Sequence, residues 1–146
     1  INIAKMKKVL FIAMALVLSL SVFAQQKQVI EFVEQEYDFG TVKEEDGKVS
    51  HVFEFVNVSQ TPITITNVRA SCGCTTPNWS RQPVMPGESG VVTATYSASG
   101  RPGRFNKSIT VTANDGTQDF QIVLYIKGNV TPRAQQVEAQ PVQQAK

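Results

Sequence analysis

The sequence is poor in the residues that carry chemistry. Its 146 residues include two cysteines, one histidine and one tryptophan. A structural zinc site takes four ligands, and two cysteines with one histidine fall short of that. No serine stands in a nucleophile-elbow pattern, and no glycine-rich phosphate loop is present. No motif therefore places a nucleophile, a base or an orienting acid. The chain is read as a non-enzyme without a cofactor. Long apolar runs are missing too. Val9–Val22 spans 14 residues with only Ser19 and Ser21 polar, short of the roughly 20 that a membrane-spanning helix needs. No cysteine follows that run before Cys72, which removes the lipoprotein reading.

What the N-terminus does contain is an address. Met6-Lys7-Lys8, the apolar run and Val22-Phe23-Ala24 have the layout of a secretory signal peptide. The expectation is a translation start at Met6, a signal peptide over 1–24 cut after Ala24, and no stable membrane anchor afterwards. The product is expected in the periplasm or outside the cell. The cut changes the charge. The whole chain is +2, but losing Lys5, Lys7 and Lys8 leaves 11 basic and 12 acidic residues, a net of −1. Nucleic-acid binding needs a clustered basic footprint. Arg101 and Arg104, in a Gly/Pro turn, read instead as a solvated loop, and nucleic acid is not an expected partner. At the other end, 131–146 is rich in Gln, Ala and Pro. Such a segment buries too little apolar surface to offset its ordering entropy, so it is expected to be disordered.

Between these ends, 25–130 reads as one domain of short strands and turns. Runs suited to a pleated, half-buried surface lie at 29–33, 37–42, 49–58, 63–68, 91–97, 105–113 and 120–126. Turn signals separate them: Glu44-Glu45-Asp46-Gly47, Ser59-Gln60-Thr61-Pro62, Pro86-Gly87, Gly100–Gly103 and Asn114-Asp115-Gly116. The run 105–113 alternates cleanly except for Lys107 on its apolar parity. Period-2 patterning with frequent turns predicts an all-β, antiparallel, two-sheet sandwich of immunoglobulin type, with seven or eight strands and no helix after the signal peptide. The Cys…Trp…Cys arrangement of true immunoglobulins is missing, so packing alone must join the sheets. The expected core is Phe53, Phe55, Ile63, Ile65, Tyr96, Ile109, Val111, Ile122 and Leu124. His51 shares parity with Phe53 and Phe55 and reads as a partly buried structural histidine. Glu44, Glu45 and Asp46 lack the spacing of a calcium loop and read as a solvated turn.

Cys72-Gly73-Cys74 is the unusual feature. Export implies an oxidising compartment, and three readings of the pair stand. A disulfide is within reach, since two extended residues span roughly 6.6 Å and a turn at Gly73 shortens that. Such a tight ring is strained, labile and of little entropic value. A metal is the second reading: Cys72 and Cys74 as thiolates suit Cu(I) better than zinc. The third is a plain structural turn. Pairing or packing is preferred over metal. The stretch 71–85, carrying Cys72, Cys74 and Trp79, reads as a long loop. Trp79 is either an exposed recognition aromatic or a cap on the core.

Several motifs together resemble one family. Tyr37-Asp38-Phe39-Gly40-Thr41-Val42, Val52-Phe53-Glu54-Phe55-Val56-Asn57, Ser71-Cys72-Gly73-Cys74-Thr75, Pro86-Gly87-Glu88 and Ile126-Lys127-Gly128-Asn129-Val130 are similar to the bacterial domain-of-unknown-function family 1573. The resemblance covers about 37–130 and departs from the family at Asn57-Val58-Ser59, where many members carry an Asn-Thr-Gly turn. It implies an exported protein of Bacteroidetes-like type, with an immunoglobulin-like fold related to ASH and major-sperm-protein sandwiches, and it implies no activity. The leading expectation is a binding or structural module of the cell envelope with a protein partner. The alternative is a thiol-redox or Cu(I)-binding protein using Cys72 and Cys74.

Overall fold

The structure, a computed structural model, describes residues 28–134. The expected signal peptide and the tail from 135 onward lie outside the described residues. Within them the chain forms eight strands: β1 (Ile30–Phe32), β2 (Glu36–Lys43), β3 (Lys48–Asn57), β4 (Thr64–Ala70), β5 (Thr75–Trp79), β6 (Ser89–Ser97), β7 (Gly103–Asn114) and β8 (Asp119–Thr131). They make two four-stranded sheets, β1-β3-β6-β5 and β2-β8-β7-β4. The architecture is an all-β sandwich.

The alternation seen in the sequence sets which side of each strand is buried. Phe53 and Phe55 of β3, Val92, Ala94 and Tyr96 of β6, Ile109 and Val111 of β7, and Leu124 and Ile126 of β8 fill the space between the sheets. Eight of the nine expected core residues are buried; Ile122 packs against the core but stays partly open. Lys107 faces Ile126 across the β7–β8 ladder and is half-buried. Its aliphatic stem can lie on the apolar face while the ammonium reaches water.

Three expectations need correction. The sandwich is not wholly antiparallel, because β2 pairs with β8 in parallel. The chain keeps one direction as it passes from β1 in one sheet to β2 in the other, and β8 runs the same way. Next, 71–85 is not one loop, because 75–79 form an edge strand on β6. Pro77 hid it: proline cannot donate to a ladder and is confined to edges, which is where β5 lies. Finally, the last strand continues past the expected run 120–126 to Thr131. Gly128 serves packing there, since a Cβ would come within 2.9 Å of the Phe105 ring.

The start of the tail is held by the acidic turn. Glu44 lies in a short 3-10 turn and accepts the N–H of Gly100 and of Arg133, each at 2.9 Å. It is therefore a brace between two distant segments. The N–H of Arg133, and then that of Gly100, hold the Glu44 carboxyl below its ordinary value of 4.5. A carboxyl whose folded pKa is depressed stabilises above the unfolded value and loses that contribution as pH falls through the folded one. The amide resonances of Gly100 and Arg133 are expected to titrate together with a midpoint below 4.5. In Glu44→Gln neither should titrate there. Independent or higher midpoints in an NMR titration would contradict the brace.

Candidate functional site

Splitting 71–85 by a strand separates the features that the sequence placed together. Cys74 precedes β5 and Trp79 ends it. At roughly 3.3 Å per residue they lie roughly 16 Å apart along the edge. One end of the sandwich holds the cysteines and the other holds the tryptophan.

At the first end Cys72 and Cys74 form a disulfide with Cα atoms 5.3 Å apart. It bridges neighbours in sequence rather than the two sheets, so packing joins the sheets. Cys74 is buried and Cys72 is half-exposed. The carbonyl of Cys74 accepts the N–H of Ser97 at 2.9 Å, fixing this turn to the end of β6. Thr75 is only 4% exposed, and its hydroxyl lies 3.8 Å from the Cys72 sulfur and 4.0 Å from that of Cys74. Among the described residues no cluster of three or more His, Cys, Asp or Glu side chains could hold a metal. The Cu(I) reading requires the pair in its reduced form, since thiolates are the metal ligands.

The second end is built around Asn57, the last residue of β3. It is 1% exposed and uses its whole amide. Its Nδ2 donates to the carbonyls of Thr61 and Val84, each at 2.8 Å. Its Oδ1 accepts the Ser59 N–H at 2.9 Å and hydroxyl at 2.7 Å. One buried side chain thus ties the turn 58–62 to the loop 80–88. Backbone bonds between Asn57 and both Gly87 and Glu88 tie them again. Ser59, in the position where the sequence departs from the family, belongs to this network. On the surface of this end stand Met85, 48% exposed, and Val58, 44% exposed.

Trp79 is half-buried here. Its Nε1 donates to the Ile65 carbonyl of β4 at 3.1 Å, closing the gap between the two sheets' edges. The Arg81 guanidinium lies 3.7 Å from the ring centre. Trp79 is thus partly the core cap and partly a surface aromatic. The alternation could not show this, because the indole's partner is 14 residues away in the other sheet.

The remaining singled-out residues have structural partners. His51 stacks on Tyr37, with ring centroids 3.5 Å apart, meets Phe53 edge-on, and bonds Glu34 through Nε2 at 2.7 Å. From Tyr37 the ring contacts continue through Phe39 and Phe105 to Tyr96. This aromatic ladder crosses between the sheets on the β2–β3 side. The sequence reading missed it because its members come from four strands. Arg101 donates to the carbonyls of Ser97 and Ser99, at 3.4 and 3.2 Å, and so braces its own loop.

This fold is that of a two-sheet β-sandwich protein. The chain belongs to the family described as "Protein of unknown function (DUF1573)", whose model matches residues 30–130. No curated protein matches it. Among solved structures it is similar to the Vibrio cholerae VesB protease, at 15% identity and a TM-score of 0.60, over 70% of this chain and 32% of that one. It is also similar to a protein of unknown function from Porphyromonas gingivalis W83, at 18% identity and a TM-score of 0.57, over 69% of this chain and 46% of that one. The secreted serine protease VesC of Vibrio cholerae matches at 17% identity and a TM-score of 0.53, over 72% of this chain and 24% of that one. The chain therefore spans less than half of each of these structures, and the likeness is one of fold.

Proposed function

We propose that this protein is an exported binding module of immunoglobulin-like fold that meets a protein partner of the cell envelope. The N-terminal segment, which gives β1 to one sheet and β2 to the other, supports the immunoglobulin-like relation. The contact surface is the end formed by 58–62 and 79–88. One observation carries this assignment: the buried Asn57 network fixes two loops that leave Met85, Val58 and the Trp79–Arg81 pair at the surface. Met, Trp and Arg are enriched where partners dock, and loops held rigid before binding lose less entropy on binding.

Trp79 is the sole tryptophan, so its fluorescence reports on this end. The full chain, photo-crosslinked in envelope extract, is expected to give a discrete adduct. In the double variant Arg81→Glu, Met85→Glu that adduct should fall about tenfold, the scale of losing an interface hot spot. Lys48→Glu, at the far end of β3, should leave it unchanged. The purified partner should shift Trp79 emission. Equal adduct yield from the double variant and the wild type would sink the assignment.

A further inference from the structure

The opposite end holds a group that the binding role does not use. The Thr75 hydroxyl is buried, and among the described residues its hydrogen-bond partners are the two sulfurs of the disulfide. A disulfide sulfur is a weak acceptor, so a buried hydroxyl gains little there. A thiolate at the same place is a strong acceptor. The sulfurs also differ in access: Cys72 is half-exposed, while Cys74 is buried. The Ser71 N–H bonds the Ser108 carbonyl at 2.9 Å, which ties the residue before Cys72 to β7.

From this we infer that Cys72-Gly73-Cys74 is a thiol–disulfide exchange site for dithiols of exported proteins, with Thr75 as the residue that receives the developing thiolate. The outer thiolate of a substrate dithiol attacks the exposed Cys72 sulfur. The Cys72–Cys74 bond breaks, and Cys74 leaves with the electron pair, accepting a hydrogen bond from the Thr75 hydroxyl. The second substrate thiol then attacks its own sulfur in the mixed disulfide and releases Cys72. The substrate has lost two electrons and become a disulfide. The pair has gained them, and the two protons end on Cys72 and Cys74. The small loop fits the role: a bridge across one residue constrains little unfolded chain, so it adds little stability.

The test uses the oxidised full chain with dithiothreitol as the probe dithiol, maleimide trapping and mass spectrometry. Thr75→Val is expected to slow reduction about tenfold, and Thr75→Ser, which restores the hydroxyl, to return it to within about twofold of wild type. A second pair of variants does not depend on Thr75. With glutathione disulfide, Cys72 in Cys74→Ser should form a mixed disulfide at least about tenfold faster than Cys74 in Cys72→Ser. Wild-type exchange in Thr75→Val, no rescue by serine, or equal reactivity of the two single cysteines would overturn the inference. The Arg81→Glu, Met85→Glu variant should exchange at the wild-type rate, so failure of the binding reading leaves this one standing.

Discussion

Asn57→Asp is expected to destabilise the fold by about 3–5 kcal/mol at neutral pH, the scale of leaving a charge buried and uncompensated. The change is one atom, yet it turns the donor that bonds the Thr61 and Val84 carbonyls into a carboxylate oxygen facing both. Each carbonyl keeps a second donor, the Ile63 N–H for Val84 and the Ser59 hydroxyl for Thr61, but both now face a negative charge in place of a donor. Bonds from the Ser59 N–H and hydroxyl can persist and do not offset this. For a domain of this size the loss lowers Tm by more than about 12 °C. Urea unfolding checks it. Part of the stability should return in acid, where a protonated Asp regains one donor. A variant within about 1 kcal/mol of wild type would show that the amide is not the clamp between the two loops, and the binding surface would lose its basis.

The second large effect lies between Phe55 and Gly90, which face each other across β3 and β6. Phe55 is fully buried, and a Cβ on Gly90 would lie 2.4 Å from its ring. Phe55→Ala is expected to cost about 3–5 kcal/mol, from lost transfer energy and the cavity left behind. Gly90→Ala should cost about 1–3 kcal/mol by overpacking. That reverses the usual sign, since alanine ordinarily improves on glycine inside a strand. The ring cannot swing away, because it has no exposed side to move into. The double variant Phe55→Leu, Gly90→Ala should be more stable than the sum of its single changes by about 1 kcal/mol, because the shorter side chain clears the new methyl. Strict additivity in a double-mutant cycle would contradict the contact.

These residues also mark how far the sequence could be read. Phe53 and Phe55 were legible because a two-residue period is a local property of the chain. The role of Gly90 was not legible, since its reason is a ring that approaches from another strand. Likewise β5 was hidden by Pro77, and the end of β8 by a glycine that serves packing. Asn57 looked like an ordinary strand residue and Ser59 like an ordinary turn residue. Their buried network needs Val84, 27 positions away. The cysteine pair was visible as a motif and its closure was within geometric reach. The hydroxyl beneath it and the asymmetry of access depend on how β5 docks on β6.

The sequence by itself determined the family, the all-β class, the faces of most strands and the residues of the core. Those are consequences of short-range alternation and of turn chemistry. Tertiary structure decided the parallel pairing of β2 with β8 and the aromatic ladder across the sheets. It also placed the cysteines and Trp79 at opposite ends. Each is set by which strands become neighbours, and that choice is made by the packing of whole sheets rather than by any local pattern in the chain.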